Sequence, residues 1–230
     1  MANNPSALRR DPEGKPVPSA RRRRRSGETR ERLFRSALDL FAKQGFANTT
    51  VEDITEAADV GKGTFFNYFP SKDHILLAFG EMQLGKLEAA IEEARSSNIS
   101  MEDFLRALPE RMTQEPTQNP AIVRTLLQAY LSTSVVREAM VDMQRRVQAL
   151  HTQIIQMGQE RGEIRTDFSA SEMASVFRQT IFGTLLMWSL HGDASLTERM
   201  RTAFDVLWSG LAPRNPAPAN GGVPFFTCGD

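Results

Sequence analysis

Apolar side chains recur at intervals of three and four along most of this chain, the spacing of amphipathic helices. Phe34, Leu38 and Phe41 share one face of a helix predicted over Thr29–Gln44, with Gly45 as its stop. Val51, Ile54, Ala57 and Ala58 form the apolar face of a second, short helix. Thr49 or Thr50 can cap it, with Glu52 or Asp53 as the reciprocal partner. Asp59 follows at a helix end where Gly or Asn is easier, and Asp visits φ > 0 more often than most residues. A third helix is predicted over Lys62–Phe69, with Gly61 opening it and Pro70 ending it. Phe65 and Phe69 then turn inward at i, i+4. Ser71 caps a fourth helix running to about Arg95, the link to the rest of the chain and a natural lever.

The second half continues the pattern. Ser100–Met112 reads as a helix with Phe104, Leu105 and Leu108 apolar, 113–120 as a Pro-rich break and Ala121–Leu131 as another helix. In Ser134–Arg161 the residues Val136, Met140, Met143, Val147, Leu150, Ile154 and Met157 recur at steps of four and three, and Gly162 ends the run. A coiled-coil dimer fits that seam; a helix bundle within one chain fits better, because similar helices flank it. Ser169-x-x-Glu172 and Ser195-x-x-Glu198 read as capping boxes opening two last helices. The first is apolar nearly all round from Phe177 to Leu190; the second carries Met200, Ala203, Phe204, Leu207 and Leu211 in a stripe. Together they suit a four-helix bundle across a twofold axis; the plainer alternative is two internal helices.

Composition changes this picture mainly through charge. The chain has a formal net charge of +0, which by itself argues against a nucleic-acid partner. The distribution reverses that: residues 1–72 hold 14 Lys+Arg and 9 Asp+Glu, the remainder 14 and 19. A basic end on an acidic body suits a protein presenting one end to DNA. Residues 1–26 are rich in Pro, Asn, Ser and Arg and read as disordered, with the run Arg21–Arg25 either a DNA-contacting arm or a solvated basic tail. The single Cys228 lies in a second disordered tail, 212–230, and makes no disulfide or metal motif. His74, His151 and His191 include no i, i+4 pair, and no nucleophile elbow, phosphate loop or HExxH motif occurs, so no cofactor, metal or catalytic site is expected. No apolar secretory segment and no 18-residue apolar run is present, Arg178 interrupting the best candidate; a cytoplasmic protein away from membranes is the expectation.

The outer face of the third helix carries chemistry suited to the DNA major groove. Lys62 can bond guanine O6 and N7, and Asn67 adenine N6 and N7. Gly63 permits close backbone approach, and Phe66 can touch a thymine methyl. Tyr68, Lys72 and Thr50 are phosphate candidates. Any short αα-hairpin can show such a layout, but exposed aromatics on so short a helix are unusual for a plain core element.

Residues 28–79 closely resemble the DNA-binding domain of the tetracycline-repressor-like (TetR/AcrR) family. The resemblance is carried by Ala37, Phe41, Gly45-Phe46, Thr49-Thr50-Val51, Asp53-Ile54, Ala57-Ala58, Val60-Gly61-Lys62-Gly63-Thr64, Phe66, Phe69 and Ser71-Lys72. The family usually has Gly at Asp59, Ser at Gly61 and Tyr at Phe66; the last change removes a hydroxyl that often touches phosphate. The resemblance implies an all-α homodimer with an N-terminal three-helix helix-turn-helix DNA-binding domain and a C-terminal helical ligand-binding and dimerisation domain. Its DNA-contacting residues carry over as Thr50, Lys62, Gly63, Thr64, Phe66, Asn67, Tyr68 and Lys72.

The boundaries expected on this basis are 1–26 (arm), 27–87 (DNA-binding domain, helix-turn-helix 50–69), 88–211 (effector-binding and dimerisation domain) and 212–230 (tail). The dimer is expected through helices 169–191 and 195–211. Phe104, Leu108, Met112, Leu126, Tyr130, Ile155 and Phe177 can line an apolar effector pocket, or are ordinary core. The function read from all this is a non-enzymatic, sequence-specific regulator: a homodimeric repressor on double-stranded operator DNA, released by a small apolar effector. The alternatives are an activator or effector-independent regulator of the same fold, and a helical ligand-binding protein or enzyme that binds no operator.

Overall fold

The computed structural model describes residues 20–114, 119–132, 134–191 and 195–213, and every regular element among them is an α-helix. The sequence expectations for residues 1–19 and 214–230, including Cys228, and for the middle of the Pro-rich break fall outside the described residues. The chain divides into two compact units, Met1–Leu76 and Leu77–Asp230.

The first unit contains α1 (Ala20–Gln44), α2 (Val51–Ala57), α3 (Lys62–Phe66) and the start of α4 (Asp73–Ser96). Helix α1 begins at Ala20 rather than Thr29, so part of the stretch expected to be disordered is helical. The physical reason lies in local pairing: Arg is a good helix former, Arg24 pairs with Glu28 at 2.9 Å, and the Thr29 hydroxyl donates to Arg25 O at 3.0 Å. Gly45, at φ +83, turns the chain at the end of α1, a conformation that costs glycine nothing. Asp59, at φ +52, is a positive-φ residue other than glycine, as its place in the α2–α3 turn anticipates. Phe41 and Phe46 meet edge-on at 5.1 Å, and Leu33, Ala37, Ile54, Phe65 and Phe69 fill the space between the helices.

The second unit contains the rest of α4, then α5 (Met101–Met112), α6 (Pro120–Ser132), α7 (Ser134–Glu160), α8 (Ala170–His191) and α9 (Leu196–Leu211). Gly162, at φ +73, stops α7. Its seam residues Val136, Met143 and Ile154 are buried in their own chain, and α7 packs chiefly on α8. The main core joins Leu87 and Ile91 of α4, Phe104 and Leu105 of α5, Ile154 and Ile155 of α7, Phe177 of α8 and Phe204 of α9. A smaller cluster gathers Val123, Trp188, Leu196 and Met200.

Two expectations about the last helices are corrected. The Ser169–Glu172 capping box is present, with Ser169 N donating to Glu172 Oε2 at 3.0 Å and Glu172 N donating to Ser169 Oγ at 3.3 Å. Ser195 caps α9 by position only, without a side-chain bond, and Glu198 lines a surface groove instead. Most of the α9 stripe is turned inward: Met200, Phe204 and Leu211 are buried in the chain's own core and Leu207 packs against it, while Ala203 lines the groove between α8 and α9.

His151 lies at the α7–α8 contact, with Nδ1 2.9 Å from Val147 O and its ring 5.7 Å from that of Phe177. Burial pushes its pKa below the ordinary 6.5, and the neighbouring Arg178 charge adds to the effect. The native state therefore binds this proton less readily than the unfolded chain. The resulting stability is present above pH 6.5 and is lost as the pH falls through the lowered native value. Thermal melting followed between pH 7 and 5 should show a falling Tm, and His151→Leu should flatten that fall. This window lies above the range where Glu52, Asp53 and Glu172, whose pKa values are lowered from 4.5, 3.8 and 4.5, would add their own losses.

Candidate nucleic-acid interface

The α2–turn–α3 hairpin is held from below by Phe65 and Phe69, 0% and 2% exposed, with ring centroids 5.8 Å apart. Burying two such rings contributes about 1.5–3 kcal/mol each, enough to fix a helix too short to persist alone. Helix α3 ends at Phe66 rather than Phe69. The chain tightens there: Tyr68 N donates to Phe65 O at 2.9 Å, a three-residue step, before Pro70 stops it.

The opposite side is open. Lys62, Gly63, Phe66 and Asn67 are exposed, Thr64 is half-buried, and a Cβ built on Gly63 meets nothing within 4 Å. Phe66 is 48% exposed while standing edge-on to buried Phe65 at 5.4 Å, so its position is fixed although its outer edge is wet. Asn67 makes no side-chain hydrogen bond among the described residues, leaving both its donor and its acceptor for a base edge.

Lys62 is paired with Glu52 of α2, and this bond holds the Glu52 carboxyl below its usual pKa. Both side chains are more than half exposed. A pair so open to solvent contributes little to stability, so Lys62 can exchange Glu52 for a guanine at little cost.

Thr50 is the N-cap of α2. Its N–H donates to Asp53 Oδ2 at 2.9 Å, and its hydroxyl accepts from Asp53 N at 3.1 Å. The hydroxyl keeps its own proton to donate to a phosphate. Thr49 instead turns inward and donates to Gly45 O at 2.8 Å.

Two expected phosphate contacts are occupied within the unit. Lys72 Nζ donates to Phe46 O at 2.8 Å and Thr49 O at 2.9 Å, and lies 4.5 Å from the centre of the Phe46 ring. It closes the α1–α2 loop by satisfying carbonyls of the loop itself. Tyr68 is half-buried, with its hydroxyl 3.0 Å from Ser26 Oγ on α1. Sequence reasoning missed Ser26, because it placed the residue ahead of the helix. It also missed Glu52 as the partner of Lys62, and Arg30, whose guanidinium lies 5.2 Å from the Phe69 ring centre.

The residues expected to line an effector pocket are placed in the second unit. Phe104, Leu108, Ile155 and Phe177 are at most 3% exposed and close on one another in the main core, with Met112 packed against it. Leu126 is half-buried on α6, and the side chain of Tyr130 is outside the described residues. A ligand at this position must part packed side chains. Open volume is found instead on the surface, where a groove of about 520 Å³ runs between Gly183, Thr184 and Met187 of α8 and Glu198, Arg199, Thr202 and Ala203 of α9. Among the described residues, no cluster of His, Cys, Asp and Glu could hold a metal ion, and no helix is long and apolar enough to cross a membrane.

Comparison with known proteins follows these two units. The family model for bacterial regulatory proteins of the tetR family matches residues 33–79, and that for the tetracyclin repressor-like C-terminal domain matches residues 122–204. The candidate mycofactocin biosynthesis transcriptional regulator MftR of Mycobacterium tuberculosis is 26% identical over 188 residues, spanning 82% of this chain and 93% of its own. The regulator TcmR of Streptomyces glaucescens is 45% identical over 71 residues, 29% of this chain and 31% of its own. Among solved structures, the repressor FadR of Thermus thermophilus, in complex with lauroyl-CoA, is 28% identical and covers 84% of this chain and 100% of its own, with a TM-score of 0.61.

Proposed function

Because the chain belongs to the TetR family of bacterial transcriptional regulators, we propose that it is a cytoplasmic homodimeric repressor whose two α3 helices read an operator and which leaves that operator when an acyl-type effector enters the helical unit. The observation that carries the DNA contact is the open α3 face, with Asn67 exposed, Gly63 unobstructed and Lys62 loosely paired. Lys62, Asn67, Gly63 and Phe66 take the base edges, and Thr50 a phosphate. No reaction is assigned to the chain.

The dimer face in this reading is the outer side of α8 and α9. Val176, Thr180, Gly183, Met187 and Leu190 lie in a row at steps of four and three, and Val176, Met187 and Leu190 are 49%, 46% and 59% exposed. On α9, Arg199, Thr202, Ala203 and Val206 form the matching row, with Val206 71% exposed. Small residues between large ones make a groove that a second copy of the same pair of helices fills.

The effector reading draws on the lauroyl-CoA bound by the Thermus thermophilus relative and on the wholly apolar α4–α5–α7–α8 core. Lauroyl-CoA added to the protein on the DNA upstream of its own gene should displace it, read by fluorescence anisotropy. Full retention at saturating ligand would favour an effector-independent regulator or a different ligand class.

A further inference from the structure

Glu52, in the first turn of α2, accepts a hydrogen bond through Oε1 from Nζ of Lys62, the first residue of α3. The bond spans the hairpin whose turn is made by Asp59. With the two side chains 55% and 61% exposed, it does little for the fold. What it does fix is the position of one carboxylate. Lys62 lies on the outer face with unobstructed Gly63 and exposed Asn67, so Glu52 stands at the face turned to DNA. Every phosphate of a duplex repels a carboxylate there. The base-edge groups that suit it in the major groove are amino donors, cytosine N4 and adenine N6.

Counting protons selects between them. The Lys62 ammonium has three N–H donors, of which one goes to Glu52 and two remain. A carboxylate accepts at about four positions, so its bond to Lys62 leaves Glu52 room for a further donor. Two donors beside an acceptor match the edge of a G·C pair, where guanine N7 and O6 accept and cytosine N4 donates next to them. An A·T pair sets the adenine amine against the second lysine proton and thymine O4 against the carboxylate. A reversed C·G pair turns the cytosine amine toward the ammonium. Both mismatches oppose like groups, and such repulsion discriminates between sites. We infer that Glu52 is a specificity-determining residue, acting with Lys62 as one unit that reads a single G·C pair in each half-site. The ammonium takes guanine and the carboxylate takes cytosine, and Lys62 need not leave Glu52 to bind. The inference rests on the DNA-binding reading above.

The full-length protein, E52A, K62A and the double variant test it. Each selects duplexes from a random pool, and affinities are then measured on the wild-type site with the assigned base pair exchanged. The wild-type pool should carry a G·C pair at one position per half-site, favoured over A·T by about 5- to 150-fold. E52A and K62A should each make that same position degenerate. The double variant should discriminate as poorly as either single one, because each has already lost the shared unit. An enriched pool that E52A leaves unchanged would overturn the inference while base reading by α3 stands. Tighter binding of E52A to all duplexes with the same preference would do so too, since Glu52 would then act through its charge alone. Degeneracy at different positions in E52A and K62A would break the shared unit, and a shared position other than G·C would refute the pairing chemistry. A wild-type pool without enrichment would remove base reading by α3 and the inference with it.

Discussion

Val206→Glu is expected to leave the fold of the single chain intact while abolishing both the dimer and operator binding. Val206 is 71% exposed in the isolated chain, so a carboxylate there is solvated and the cores of either unit are untouched. In the proposed dimer the same carboxylate is pressed between the α8–α9 faces of the two copies and loses its water. An uncompensated buried charge costs about 3–5 kcal/mol. Association should weaken by more than about 100-fold, since each 1.4 kcal/mol is about tenfold. Operator binding follows, because one short helix reads too few bases to hold a site. Sedimentation shows a monomer with unchanged circular dichroism if the interface is right. A dimer of normal affinity would place the interface elsewhere. Leu207→Glu is a poorer probe than its place in the sequence stripe implies: Leu207 is partly buried against the main core, so that variant perturbs the single chain as well as any interface.

That contrast shows what the sequence made legible. Periodicity of three and four identified each helix, because a helix in a small bundle must bury one stripe. It did not say against what. Met200, Phe204, Leu207 and Leu211 look the same whether they face their own chain or a twin, and only the fold assigns them to the core. The inward Phe65 and Phe69 and outward Phe66 and Asn67 were legible, since i, i+4 spacing beside a proline leaves one choice of face. Long-range polar contacts were not. Lys72 binds carbonyls more than twenty positions earlier, and Tyr68 reaches Ser26 across 42. Neither contact has a local signature in the sequence. The effector residues behave likewise, four of them forming core rather than a preformed cavity.

Asn67→Ala is expected to cost about 1–3 kcal/mol on the preferred operator and to relax preference at one base position. The substitution is clean. The side chain is exposed and unbonded among the described residues, and the cap bonds at this position are made by its backbone N–H. Binding to random duplex should be unchanged. An equal loss on both DNAs would make Asn67 a backbone contact instead.

The central claim is that the open face of α3 reads DNA sequence as one half of a symmetric pair, and selection of bound duplexes from a random pool tests it most directly. The account predicts enrichment of an inverted repeat whose half-sites lie about 34–36 Å apart, or a multiple of that spacing. Asn67→Ala should select the same repeat with one position per half-site degenerate. A bound pool with no enrichment over the input would contradict it.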